Sequence, residues 1–348
     1  MLWAAPLMLF FALNKAPNYL TGKIAKDERV VFFPTAANQI NETHWNVPIH
    51  GWIFEPEIDS VKRKALIKAL GKMFQLKDDA EKRILRQRLM PFAVDNQSLQ
   101  YVRIKIKESG QIIRRLPRSS KDGHFFGNLT LPIDTMDDLE GSILHYKAID
   151  SKRHFPGRVH LIPPTGVSII SDIDDTVKIT NYLDKKEFYK NTFIRDFQAV
   201  TGMKDVFLKC KAQYDNCAFH FVSASPYQLF EDLSSFFDLE GFPLATYHLK
   251  RIRVKDKTLL QLFADPFEYK IGQIERILHK YPKRKFILIG DSGEKDPEVY
   301  IELYRRYPKQ IEKIWIRNVN EADASRMDGV DGTKWRYFST GSDLMEEI

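Results

Sequence analysis

Three carboxylates fall within four residues in Asp172-Ile173-Asp174-Asp175-Thr176, directly after the apolar run Val167 to Ser171. Like charges this close raise one another's pKa, and a divalent cation removes that penalty and keeps the acids ionised. Magnesium fits such a cluster, because it takes hard oxygen ligands and is commonly shared between one or two carboxylates and a substrate phosphate. A calcium loop of the EF-hand kind needs Gly after its third acidic ligand and Glu at its twelfth position, where this chain has Val177 and Leu183. The pentapeptide alone also fits an ordinary acidic turn, so the rest of the chain has to decide.

Other groups of the right chemistry follow at the ends of apolar segments. Ala218 to Ser223 reads as a strand ending in a hydroxyl, and Ser225-Pro226 reads as a helix N-cap with proline in the first helical position. On that reading Ser223 is free to donate a hydrogen bond to a phosphate oxygen near a helix N-terminus. Lys270 opens a helical stretch and could offset the charge of a phosphoryl transition state. Lys285 to Gly290 delivers Asp291, which as an acid leaving an apolar strand is a candidate metal ligand. Asp296-Pro297 can serve as an N-cap, as a member of the acidic loop, or as both.

The elements that must position these residues alternate. Strands are expected at 167–171, 218–223, 244–249, 286–290 and 314–319, and helices at 200–214, 226–237, 270–281 and 297–306. Right-handed crossovers then give a parallel α/β sheet with ligands at the carboxyl ends of its strands. Ahead of Pro163-Pro164 the rhythm differs, with short strands such as Val47 to Phe54 and the strictly alternating Tyr101 to Lys107, a turn at Ser119 to Gly123, and further strands at 127–131 and 158–162. The division expected is an apolar N-terminal segment over 1–25, a β-rich, sandwich-like domain over 26–163 with a basic helical insert near 60–90, and an α/β domain over 164–348. The insert either packs on its domain or lies on a membrane surface.

Composition sets the outer bounds. The chain has 348 residues, 43% hydrophobic and 28% charged, which excludes a disordered or polytopic membrane protein. A formal charge of +7 favours anionic partners. Cys210 and Cys217 have no histidine at zinc-ligand spacing and are either a small disulfide loop or reduced thiols. The apolar run Leu2 to Leu13 is too short to span a bilayer and reads as a signal-like segment or an anchor.

In order, Asp-Ile-Asp-Asp-Thr, a strand-end Ser, an isolated Lys and Gly-Asp-x-x-x-x-Asp resemble the motifs of the haloacid dehalogenase superfamily. More narrowly, Ser171 to Lys178, Val222 to Pro226, Phe286 to Gly293 with Lys295 to Glu298, and Ile316 to Val319 resemble the actin-patch phosphatidate phosphatase catalytic-domain family, relatives of the lipins. Gly51 to Pro56 resembles the β-rich region ahead of that domain, so the likeness covers roughly residues 29 to 340. It implies a Rossmann-like fold in which Asp172 attacks phosphorus to form an aspartyl-phosphate and Asp174 moves the protons. Asp172, Asp174 and Asp291 would hold Mg2+, Ser223 and Lys270 would bind the phosphoryl oxygens, and Thr176 would order the turn carrying Asp174. Asp175 is left outside the reaction. Tyr227 stands where the family is expected to have Trp, which affects the rim of the site and hence its substrate.

Only 46 residues separate Thr176 from Ser223, and 46 separate Ser223 from Lys270. After a flap at 181–193 and the crossover elements, that leaves room for a minimal cap only. An open site suits a headgroup on an anionic phospholipid or membrane surface, and the basic run Lys250 to Lys257 could add attraction to it. The expected activity is hydrolysis of phosphatidate to diacylglycerol, with a phosphoprotein or soluble phosphomonoester as the alternative substrate and a non-catalytic membrane-binding or scaffold module as the alternative class. No nucleic-acid partner is expected.

Overall fold

Apolar runs without polar alternation make strands buried on both faces, whereas alternating runs make strands with one wet face, and the chain divides along that distinction. The computed structural model describes residues 23–56, 67–68, 71–72, 74–113, 115–133, 142–150, 152–252 and 266–348. The apolar segment at 2–13, part of the basic insert and most of the basic run after Lys250 lie outside the described residues. No helix among the described residues is long and apolar enough to cross a membrane. Two compact units are formed, one from the described residues of Met1–Pro56 and Val94–His160, the other from those of Glu57–Ala93 and Leu161–Ile348.

The first unit is β-rich. Its strands are β1 (Arg29–Phe33), β2 (Thr35–Gln39), β3 (His44–Pro56), β4 (Val94–Asn96), β5 (Ile104–Ile106), β6 (Ile112–Ile113), β7 (His124–Pro132), β8 (Ile143–Ala148) and β9 (Pro156–Leu161). At thirteen residues, β3 is long enough to pair with β1, β2, β4 and β7, all antiparallel. The alternation read from Tyr101 to Lys107 is realised, with Val102, Ile104 and Ile106 buried and Lys105 exposed. Gly51 lets β3 pass the Phe125 ring of β7, since a Cβ there would stand 2.2 Å from the ring.

In the second unit the strands are β10 (Val167–Ser171), β11 (Ala218–Pro226), β12 (Thr246–Lys250), β13 (Lys285–Asp291), β14 (Ile311–Arg317) and β15 (Trp335–Phe338). They pair in parallel in the order β12-β11-β10-β13-β14-β15. Renumbered within the unit this is 3-2-1-4-5-6, the doubly wound order, whose switch point lies between its first and fourth strands, β10 and β13. Ile287, Leu288 and Ile289 are all inaccessible to solvent, as a central strand covered on both faces requires. The helices are α1 (Asp79–Leu89), α2 (Lys185–Phe193), α3 (Met203–Gln213), α4 (Phe230–Glu240), α5 (Phe267–Lys280) and α6 (Asp296–Arg306).

Three sequence expectations shift. The strand begun at Ala218 continues through Ser225 to Pro226, so Ser225 is not a helix N-cap; a short 3-10 turn at Tyr227–Leu229 intervenes and α4 starts at Phe230. Asp296 opens α6 from inside, behind an N-cap at Lys295, and makes no capping bond. Tyr227 is buried, its hydroxyl donating to the Tyr247 carbonyl at 3.0 Å, so it is no part of a rim. The helix of the basic insert, α1, clusters with the α/β unit. Its Arg88 donates to the carbonyls of Thr192 and Arg195 and lies 3.7 Å over the Phe197 ring. Cys210 and Cys217 are both free thiols, each pushed up to about 12 mainly by burial.

One residue without a role in the sequence reading secures the start of the sheet. Arg284 is fully buried and donates to the carbonyls of Pro163, Thr165, Val167 and Asn216 and to Ser168 Oγ, clamping the approach to β10 against β13. Removing the guanidinium leaves several buried carbonyls without a donor, each costing ~1–3 kcal/mol. Arg284→Met is therefore expected to lose at least about 3 kcal/mol in urea denaturation, and a loss below about 1 kcal/mol would show that the clamp does not hold the sheet.

Candidate active site

Because β10 and β13 are neighbours at the switch point, the residues that follow them meet. The ladder runs one step past β10, with Asp172 N donating to Ile289 O at 2.9 Å, and this sets the first carboxylate beside the end of β13. Asp172 and Asp291 are buried, as is Lys270 from the first turn of α5. The Lys270 ammonium lies 3.2 Å from Asp172 Oδ1, 3.2 Å from Glu294 Oε2 and 2.5 Å from Asp296 Oδ1. Asp296 also accepts from the Asp291 amide at 3.2 Å, so the residue that sequence left ambiguous belongs to the buried cluster.

This cluster has more negative than positive charge. Burial raises the Asp172 carboxyl well above its usual range, and Asp296, Glu294 and Asp291 push it further against the opposing Lys270. Asp291 is raised for the same reasons, burial first and then Asp296 and Glu294. Lys270 is desolvated too, yet its three acidic neighbours hold it charged. Asp172 Oδ2 and Asp291 Oδ2 are buried without a hydrogen-bond partner among the described residues. Ligand atoms of Asp172, Asp291 and Asp296 lie within 4.8 Å of one another. Orphaned hard oxygens converging in a buried, acid-rich pocket fit a divalent cation.

Asp174 lives in a different environment. Its Oδ1 is 2.7 Å from Lys178 Nζ and accepts from Thr180 Oγ1 at 2.8 Å, while Oδ2 accepts from Ser225 Oγ at 2.7 Å and lies 3.4 Å from Ser223 Oγ. Burial alone would raise this acid, but Lys178 and the hydroxyl donors outweigh it and hold the carboxyl below its usual value. Lys178 is itself buried, bonded to Thr180 Oγ1 at 2.6 Å and 4.9 Å over the Phe197 ring. Ser223, the residue proposed to bind phosphoryl oxygens, is buried at the same place and accepts from the Ser225 amide at 3.0 Å.

Asp175 organises the loop. With φ at +53° it turns the chain, and its carboxylate accepts the amides of Thr180, Asn181 and Tyr182 at 2.8, 2.8 and 2.6 Å. Those three bonds fix the start of the flap that continues into α2. Arg317 at the end of β14 donates to the Asp175 carbonyl at 2.7 Å, placing the Ile316 to Val319 segment behind the turn. Thr176 is buried, and its hydroxyl has no partner among the described residues.

Five of the residues singled out in sequence, Asp172, Asp174, Ser223, Lys270 and Asp291, lie within two adjoining charge clusters. Sequence reasoning gave no role to Lys178, Thr180 or Glu294, and it misassigned Ser225. Lys178 stood in the quoted motif, and its spacing of four from Asp174 was the available signal.

Glu294 gives the site a pH signature. Its carboxyl is pushed up to about 7, chiefly by burial, with Lys270 opposing and Asp296 and Asp174 adding, from an ordinary value of 4.5. The folded state then binds this proton more tightly than the unfolded chain does. The stability from Glu294 is complete below about pH 4.5 and is lost as pH rises through about 7. Metal-free protein in urea denaturation should lose stability across that window more steeply than Glu294→Gln, which has no proton to release. Equal slopes would remove Glu294 from the cluster's titration.

Comparison with known proteins follows the site. Residues 167–318 match the family described as phosphatidate phosphatase APP1, catalytic domain. The Saccharomyces cerevisiae protein named phosphatidate phosphatase APP1 is 35% identical over 158 residues, 45% of this chain and 26% of the yeast protein. An uncharacterized Schizosaccharomyces pombe protein is 30% identical over 208 residues, 57% of this chain and 33% of its own length. The matched region thus spans about a quarter to a third of these relatives. Over residues 167–318, then, the chain is similar to the phosphatidate phosphatase APP1 catalytic-domain family.

Proposed function

We propose that the chain is a Mg2+-dependent phosphatase that hydrolyses a phosphomonoester through an aspartyl-phosphate on Asp172, with phosphatidate as substrate and diacylglycerol as product. The observation that carries this reading is the opposed environments of two carboxylates at one switch point. Asp172 is raised by burial among acids, while Asp174 is lowered by Lys178 and hydroxyl donors. The surroundings separate the duties: Asp172 lies in the acid cluster that a cation would ionise for attack, and Asp174 lies among donors that hold its carboxylate for proton transfer. The sheet order and the Asp-x-Asp spacing support a haloacid dehalogenase fold for the unit, and the family match supports a phosphatidate-type substrate.

Asp172, Asp291 and Asp296 are the side chains that would hold Mg2+, with Asp174 as the further ligand expected from sequence. When bound, the ion would supply positive charge that keeps these acids ionised and offsets the negative charge of the phosphoryl group. The chain's own groups do the rest. Asp172 bonds phosphorus as the ester oxygen departs, and Lys270, 3.2 Å from Asp172, balances the charge that develops. Asp174 delivers a proton to the leaving alkoxide and then takes one from the water that cleaves the aspartyl-phosphate. Its resting state is the carboxylate, and an anionic phosphate bound beside it raises its proton affinity toward what the first step needs. Lys178, Thr180 and Ser225 hold that carboxylate in one orientation for both steps.

Phosphate release from phosphatidate in mixed micelles should require Mg2+, stop with a chelator and fall about 10⁴-fold or more in Asp172→Asn. Turnover surviving in that variant would sink the mechanism. A preference in kcat/KM for phosphopeptides or sugar phosphates would keep the chemistry and move the substrate. Ser225→Ala, which takes one donor from Asp174, should lower kcat about tenfold with little change in KM.

A further inference from the structure

A second concave site lies in the α/β unit, away from the acid cluster. It has a volume of about 860 Å³, within the ~300–1,000 Å³ usual for small-ligand sites. Five cations line it, Lys68, Lys72, Lys77, Lys82 and Arg86, and no carboxylate is among the described lining residues. Its apolar wall comes from Ile67, Leu76 and Leu85, of which Leu85 is buried. Lys82 is tied to Asp79 at 2.9 Å and to the Lys77 carbonyl at 3.0 Å. Lys68, Lys72, Lys77 and Arg86 are exposed.

This combination narrows the occupant. A lone phosphate ion is far smaller than the groove and has no use for its apolar wall. Single-stranded nucleic acid is held by aromatic rings on which its bases stack, and none is among the described lining residues. An amphiphile with an anionic head satisfies both halves, its acyl chain along Ile67, Leu76 and Leu85 and its headgroup among the lysines, whose own methylene stems extend the apolar surface. The groove also adjoins the flap. The Phe74 ring is 6.4 Å from that of Tyr189 on α2, and α1 packs against α2. The turn leading into α2 carries Leu183, 58% exposed, followed by the exposed Lys185 and Lys186. Its apolar tip precedes α2, and Lys82, Leu85 and Arg86 of the groove lie on α1.

We propose that the groove lined by Lys68, Lys72, Leu76, Lys77, Leu85 and Arg86 binds an anionic phospholipid of the membrane surface, a site separate from the one that performs the chemistry. The assignment rests on the lipid-phosphatase reading for its biological setting, but its test does not use turnover. The full chain is mixed with phosphatidylcholine vesicles with or without phosphatidylserine and sedimented, beside a variant carrying Lys68→Glu, Lys72→Glu and Arg86→Glu. All three positions are exposed, so the fold should survive, and circular dichroism checks that it does. Wild type is expected to sediment with the phosphatidylserine vesicles and far less with phosphatidylcholine alone. The variant should bind at least about tenfold more weakly, given ~1 kcal/mol for each basic residue near an anionic surface. Leu76→Asp, which spoils the apolar wall and leaves the cations, should weaken vesicle binding too.

Full binding by the charge-reversed variant would overturn the assignment. So would competition by millimolar inorganic phosphate, which would make the groove a site for the free anion. Capture of a polyuridylate strand in place of vesicles would assign the cations to nucleic acid and equally end the lipid reading. A protein that binds vesicles as described but hydrolyses no phosphomonoester would refute the proposed activity and leave the groove standing.

Discussion

One buried ammonium organises the carboxyl end of the sheet in the α/β unit. Lys270 faces Asp172, Glu294 and Asp296, and with Asp291 close by the acids outnumber it. Charges so far from water are tolerated only when paired, so the position of Lys270 decides which carboxylates can share the pocket. The doubly wound order brings the ends of β10 and β13 together, and α5 delivers the cation to the same place. The fold and the electrostatics are therefore one arrangement, since a sheet without a switch point there would leave these acids apart.

Lys178 does the converse a few residues away. It faces Asp174 with two hydroxyl donors for company, and the carboxyl falls where its neighbour's rises. Two aspartates separated by a single residue thus acquire different proton affinities because the Asp175 turn faces one toward β13 and the other toward Lys178 and Ser225. Asp175 carries the geometry: its three amide acceptances fix the turn, and Arg317 supports it from behind.

Much of this was legible in the sequence because the relevant signals are local. Apolar runs ending in acids marked β10 and β13, and alternation marked the strand around Ile104. Ser225-Pro226 misled because the dipeptide carries the same signal whether proline begins a helix or ends a strand; the choice was made by Asp174, which needed the serine hydroxyl and lies 51 positions away. Strand β15 was missed because Trp335 to Phe338 is short and mixed in polarity, and only pairing with β14 makes it a strand. Arg284 was invisible for a related reason: nothing local distinguishes a solvated arginine from one that gathers four carbonyls.

The Phe197 ring has Arg88 of α1 3.7 Å from its centroid and Lys178 of the loop after β10 at 4.9 Å. No reaction needs a phenylalanine there, yet two cations of separate origin lean on it. A change to the insert that displaces Arg88 would therefore reach, through one ring, the lysine that governs Asp174.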